Sequence, residues 1–333
     1  MSSVTGTPSP LAPGVSVVVP VFNSQTTLPR LVLDVTEVLE QCRLDHEFVL
    51  VDDGSRDASW DVIEQLALTR PTVRGVKMMR NYGQHNAVLA GVRAARFDVI
   101  VTLDDDLQHP ATEIPSLLDA LRPDVDVVYG APRDLPHSAI RNFLSRFTKW
   151  SMAKAMGVPN IADISAFRVF RTRLRDAFAS YNSPQILLDV LLSWGTTRFT
   201  TVYVRHDPRQ AGRSNYTFGR LVNQAMLVLT GFSTGPLRLA TVVGFTFTAL
   251  GAILLLYVLT TYFIFGTAIR GFAFLASAIT LFSGAQLFAL GILGEYIGRI
   301  FNRSMDRPPY VVASQIDVGA ALERSCDDRA ARS

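Results

Sequence analysis

Between Val15 and Tyr129 the chain alternates short apolar runs, rich in β-branched residues, with stretches whose apolar positions recur every three or four residues. The runs Val15–Val21, Glu47–Val51, Gly75–Met79, Asp98–Leu103 and Val125–Tyr129 predict strands, each ended by turn formers. Leu28, Leu31, Val32, Val35, Val38 and Leu39 keep helical spacing, as do Ile114, Leu117, Leu118 and Leu121. Repeated strand–helix alternation predicts an α/β domain with a mainly parallel sheet covered on both faces. Ligands of such sheets bind beyond the carboxyl ends of the strands, so the residues just after each strand are the place to look for chemistry.

Past residue 130 the pattern changes. Arg133–Met156 reads as a basic helical segment, Ser165–Arg171 and Phe199–Val204 as strands, and Pro184–Trp194 as a helix. Phe218, Leu221, Val222, Ala225, Met226, Leu229 and Phe232 then form one helical stripe, as expected of a helix lying in a membrane interface. Leu239–Ile269 contains no Asp, Glu, Lys, Arg or His, and neither does Gly271–Gly294; Arg270 stands between them. A helix needs about 20 apolar residues to cross the hydrocarbon core, and each stretch exceeds that, so a transmembrane hairpin is expected. Arg220 and Arg238 precede it and Arg299, Arg303 and Arg307 follow it, which predicts both flanks on the cytoplasmic side. The expected domains are a disordered tail over 1–13 with no signal-peptide character, an α/β domain over 14–215, an interface helix over 216–234, two membrane helices over 235–301 and a cytoplasmic tail over 302–333, partly disordered after Tyr310.

Composition agrees with a membrane-bound chain. Hydrophobic residues make up 48% and charged residues 18% of the 333, and mean hydropathy is +0.23. A net charge of +3 is too weak to indicate nucleic acid. Cys42 and Cys326 lie far apart, which argues against a disulfide framework or a cysteine zinc site.

The most informative chemistry is Asp104-Asp105-Asp106-Leu107-Gln108 at the end of the fourth predicted strand. Three carboxylates there repel one another unless a cation sits among them, and hard oxygen donors suit Mg²⁺ or Mn²⁺, which in turn hold a diphosphate. The second strand ends in Asp52-Asp53-Gly54-Ser55, where a carboxylate can accept from a base or a ribose and the glycine permits a tight turn. No Gly-x-Gly-x-x-Gly follows the first strand and no Gly-Lys-Ser/Thr loop is present, which weakens dinucleotide and Walker-type readings.

Together Val17-Val-Val-Pro-Val-Phe-Asn23, Val51-Asp-Asp-Gly-Ser55, Arg80-Asn81-Tyr-Gly83-Gln84 and Leu103-Asp-Asp-Asp-Leu-Gln108 resemble the family 2 glycosyltransferases of the GT-A fold. With the two-helix anchor and Arg307-Pro-Pro-Tyr310, the resemblance spans about residues 14 to 312 and narrows to the polyprenyl-phosphate glycosyltransferases. It implies inverting transfer of a sugar from a nucleotide-sugar to polyprenyl phosphate. UDP-glucose is the favoured donor and GDP-mannose an alternative; a non-catalytic scaffold binding lipid phosphate is the reading from another class. The resemblance further implies that Pro20, Val21, Asn23, Val51 and Asp53 line the nucleotide pocket, with Asp104, Asp105 and Gln108 beside the diphosphate, and that Asp104 and Asp106 hold Mg²⁺ or Mn²⁺. Arg133, Arg141, Arg146, Arg209 and Arg213 are the expected clamps for the acceptor phosphate, because arginine binds phosphate through a planar fork. Asp163, Asp106 and Arg133 are the expected catalytic residues, Asp163 orienting the acceptor or taking its residual proton. A phosphate monoester is already largely ionised near neutral pH, so little base catalysis is required. The resemblance also implies a homo-oligomer at the bilayer. A processive polysaccharide synthase on the same fold would carry Gln-x-x-Arg-Trp and a larger membrane channel, neither of which the sequence contains.

Overall fold

The computed structural model describes residues 11–132, 164–183, 186–207, 235–265 and 272–319. The chain divides into two compact units, 1–215 with 307–333, and 216–306.

In the first unit, strands β1 (Ala12–Val21), β2 (His46–Asp52), β3 (Val73–Met78) and β4 (Phe97–Thr102) alternate with helices α1 (Leu28–Gln41), α2 (Ser59–Thr69) and α3 (Gln84–Ala94). A 3₁₀ turn (Ala111–Glu113) leads into α4 (Ile114–Ala120) and β5 (Val127–Pro132). After the 133–163 stretch come β6 (Arg168–Arg171), α5 (Leu188–Gly195) and β7 (Phe199–Val204), and the sheet is completed by β8 (Val312–Ile316). The strand order is β7-β5-β6-β4-β1-β2-β3-β8. β1 pairs in parallel with β2 and β4, β2 with β3, and β5 with β7, while β6 and β8 run antiparallel to their neighbours.

The predicted helix stripes are the buried ones: Leu28, Leu31, Val32, Val35 and Leu39 of α1 and Ile114 and Leu117 of α4 join Val17, Val19, Phe48 and Leu50 in the core. β1 and β2 read as unbroken apolar runs because the sheet is covered on both faces, with α3 lying on both strands. β1 sits between β2 and β4, so the order reverses there, which opens a crevice at the carboxyl ends of β1, β2 and β4. Val312–Ile316, after Tyr310, forms β8, which pairs with the edge strand β3 in the register Gly75 to Ile316 and Lys77 to Ser314. β8 supplies the backbone partners that the exposed edge of β3 otherwise lacks.

The second unit contains α6 (Gly235–Phe265) and α7 (Phe272–Ser304). Their apolar spans, Gly235–Thr261 and Leu281–Ser304, are long and apolar enough to cross a membrane, and no residue in the most apolar stretch of either is buried. Phe245, Leu256, Leu287 and Ile300 are each more than 60% exposed, as lipid-facing side chains are. Between the helices Phe247 meets Phe282 edge-on at 5.9 Å. The predicted turn near 266–271 and the interface helix over 216–234 lie outside the described residues, as does the basic segment 133–156.

Candidate active site at the sheet switch point

β1 ends at Val21 and the chain turns through Asn23, whose φ of 55° is left-handed. Asn23 faces the turn after β2: its N–H donates to Ser55 Oγ at 3.0 Å and its Oδ1 accepts the Arg56 N–H at 2.8 Å. That turn is built on Gly54, at φ 69°, where a Cβ would stand 2.6 Å from the Asn81 backbone nitrogen; only glycine lets the loop after β3 settle there. Asp53 holds the same loop. Its Oδ1 accepts the Tyr82 N–H at 2.7 Å and its Oδ2 the Gly83 N–H at 2.9 Å, which places a carboxylate at the N-terminus of α3. Burial pushes the Asp53 carboxyl above the ordinary range, and the two N–H bonds pull part of the way back. Gly83, at φ 95°, lets the chain bend from this clamp into the helix.

The aspartate run leaves β4 in a turn, as the sequence requires if it is to meet a ligand, with Leu107 in a left-handed conformation. Its three members do different things. Asp104 Oδ1 accepts Gln84 Nε2–H at 2.6 Å. Asp105 reaches across to the end of β1, where its Oδ2 accepts the Phe22 N–H at 3.0 Å and the Ser24 hydroxyl. Burial raises the Asp105 carboxyl, opposed by those two bonds. Asp106 Oδ1 accepts the Gln108 N–H at 3.1 Å, and the Gln108 carbonyl accepts the Asp207 N–H at 2.9 Å. His109 stacks on Phe167 at 5.0 Å and meets His206 edge-on at 4.9 Å. Burial, with His206 adding to it, draws its pKa down to about 4, so the ring is neutral at pH 7 and acts as a packing post.

Pro20, Val21, Asp53, Asp104 and Asp105 line a single cleft of about 350 Å³ together with Phe22, Asn81, Gly83 and Gln84. Four predicted residues do not line it, Asp106 among them. Val51 is fully buried in β2 beside Gly91 of α3, and so belongs to the core, not to the cleft wall. Asn23 braces the β2 turn, and Gln108 contributes backbone to the β7 end. Arg133, Arg141, Arg146, Asp163, Arg209 and Arg213 lie outside the described residues. The cleft residues without a role from sequence are Phe22, Asn81, Gly83 and Gln84; the signal for the last three was the Arg80–Gln84 motif itself, directly after a strand.

A larger cavity of about 530 Å³ opens between α1 and Leu103–Thr112, bordered by Arg205 and Asp207. Its exposed cations are matched internally, Arg30 by Asp34 at 2.6 Å and Arg205 by Asp207 at 3.1 Å, and none of Asp53, Asp104 and Asp105 faces it. The smaller cleft is therefore the candidate site. No group of three or more His, Cys, Asp or Glu side chains forms a ready metal cage among the described residues. Asp104 in the cleft and Asp106 two residues on are hard oxygen donors of the kind Mg²⁺ or Mn²⁺ takes, such ions being usually held by one or two carboxylates and completed by substrate phosphates.

A family model described as "Glycosyl transferase family 2" matches residues 16–180. The undecaprenyl-phosphate 4-deoxy-4-formamido-L-arabinose transferase of Pseudomonas fluorescens (strain SBW25) is 34% identical over 90% of this chain and 88% of its own. That of Proteus mirabilis (strain HI4320) is 35% identical over 91% of this chain and 94% of its own. The chain belongs to glycosyl transferase family 2. Within that family it stands among the polyprenyl-phosphate glycosyltransferases, and the mixed sheet with its switch-point cleft is the family's GT-A domain. Among solved structures, glucosyl-3-phosphoglycerate synthase from Mycobacterium tuberculosis covers 66% of this transferase and 78% of its own chain, at 15% identity and a TM-score of 0.48.

Proposed function

We propose that this family 2 glycosyltransferase moves a sugar from a nucleotide-sugar to polyprenyl phosphate at the cytoplasmic face of a membrane. The observation that carries the reading is one cleft at the switch point that gathers carboxylates from the ends of β2 and β4, in a chain with two membrane-length apolar helices. Asp53 and the Pro20–Phe22 turn form the end of the cleft suited to the nucleoside, and Asp104 the end suited to the diphosphate. Asp104 and Asp106 would hold Mg²⁺ or Mn²⁺, which supplies positive charge against the leaving diphosphate. A phosphate oxygen of the acceptor bonds to the anomeric carbon as the bond from that carbon to the nucleoside diphosphate breaks, with inversion. Arg133, Arg141, Arg146, Arg209 and Arg213 are proposed to hold the acceptor phosphate, and Asp163 to orient it or take its last proton. Asp105 acts through the backbone, keeping the β4 loop against β1. Arg238 before the hairpin and Arg299, Arg303 and Arg307 after it support a cytoplasmic catalytic domain, and assembly into a homo-oligomer belongs to the same reading.

The donor sugar is the finer question. Sequence favoured UDP-glucose, whereas the curated relatives are named for 4-deoxy-4-formamido-L-arabinose. Purified full-length protein offered radiolabelled nucleotide-sugars of both kinds, with GDP-mannose beside them, should pass label from one donor into a solvent-extractable lipid when polyprenyl phosphate is present. Asp104→Ala with Asp106→Ala should cut that transfer at least a hundredfold, and a chelator should do the same reversibly. Undiminished transfer by the double variant, or no lipid product from any donor, contradicts the proposal.

A further inference from the structure

We propose that Gln84 is a positioning residue that sets the Asp104 carboxylate for its cation, and that Asp53 fixes Gln84 in turn. The proposal rests on the metal reading above and goes beyond it by joining the two ends of the cleft through one side chain. Asp53, at the end of β2, binds the backbone N–H groups of Tyr82 and Gly83 with its two oxygens, at 2.7 and 2.9 Å. Gln84 follows immediately as the first residue of α3, so the clamp on residues 82 and 83 determines where its side chain starts. Its amide then donates to Asp104 Oδ1 at 2.6 Å, after β4. Asp53, Gly83, Gln84 and Asp104 all border the same cleft. Three strand ends, those of β2, β3 and β4, are thereby tied in sequence along one rim.

The chemistry of the middle link matters. A carboxylate oxygen has two lone pairs, so accepting one hydrogen bond restricts the rotamer without exhausting the group as a ligand. A lysine or arginine in the same place would orient Asp104 and also cancel its charge, lowering its attraction for a divalent ion. A neutral amide orients and leaves the charge in place. Partners of this kind, which hold a metal-binding carboxylate from behind, change metal affinity when removed even though they never touch the ion. Gln84 is exposed, so its single hydrogen bond contributes little to folding and its effect should appear at the site.

The test uses full-length protein in detergent and Mn²⁺ alone as probe, with the free ion followed by electron paramagnetic resonance and the thermal midpoint measured in parallel. Gln84→Met keeps length and loses the donor; Gln84→Asn keeps the amide but falls short of Asp104. Both should weaken Mn²⁺ binding about tenfold, the lower end for lost outer partners of metal ligands, and leave the thermal midpoint unmoved. An unchanged Kd in both variants, with the wild type binding Mn²⁺, overturns the role of Gln84 and leaves the metal site standing. A weaker Kd accompanied by a lowered midpoint in both also overturns it, since the side chain would then be holding the fold. A wild-type protein that takes up no Mn²⁺ overturns this assignment and the metal reading together.

Discussion

Arg168 and Asp189 are each 4% exposed, and they pair with one another. The Tyr129 hydroxyl donates to Asp189 Oδ1 at 2.8 Å, Arg168 Nε donates to Thr102 Oγ1 at 3.1 Å, and Thr102 donates to the Ala166 carbonyl at 2.7 Å. Thr102 closes β4 two residues before Asp104, so this buried network bears on where the loop begins. Removing one member strands a charge where water cannot reach it. Asp189→Ala should therefore lower stability by about 3 kcal/mol or more, read from the thermal midpoint or a denaturation curve. Replacing the set together, Arg168→Met with Asp189→Leu and Tyr129→Phe, should cost less than Asp189→Ala alone, because no unpaired charge remains. The aspartates above show how much environment decides among identical side chains. The resemblance places Asp105 beside the diphosphate, between two carboxylates expected to hold the metal, and in the fold it is also a strut between β4 and β1. Its direction depends on a turn and on the position of Ser24, about 80 residues away, which no local pattern reveals.

At the scale of elements, β8 is the main addition to what the sequence predicted. Val312–Ile316 is short, and three of its five residues are exposed, so it has neither the long apolar run nor the clean alternation that marks a strand. Its register is set from outside. Asp317, just beyond it, accepts from Arg74 Nε at 3.1 Å and from the Arg96 guanidinium, and Arg74 also pairs with Glu47 at 2.8 Å. These contacts join β8 to β3, β2 and the segment between α3 and β4. Ending the chain after Val311 should cost the catalytic unit about 2 kcal/mol, seen as a lower thermal midpoint, and Asp317→Asn should reproduce part of that loss. The stripes of α1 and α4, by contrast, were readable almost residue by residue, because a stripe with a period of 3.6 is a local property and burying it needs only some apolar surface nearby. Strand ends moved by one to three residues, as at β3 and β5, since pairing partners set them.

At the scale of the molecule, a family 2 catalytic unit shares one chain with two helices that leave most of their large apolar side chains exposed, among the described residues. Membranes from cells making the protein should retain it through an alkaline carbonate wash and release it to detergent; recovery in the wash would contradict membrane insertion. Hydropathy alone was sufficient to mark these helices, and β-branched runs with helical stripes between them were sufficient for the α/β class and for the strand ends that border the cleft. Both rest on interactions within a few turns or residues of chain. Only the folded sheet decided that Val51 is core and not cleft wall, that Asp53 spends both oxygens on the loop after β3, and that Asp104 is held by Gln84. Those outcomes depend on which strands lie side by side, and side-by-side placement is a property of the whole sheet that no single segment encodes.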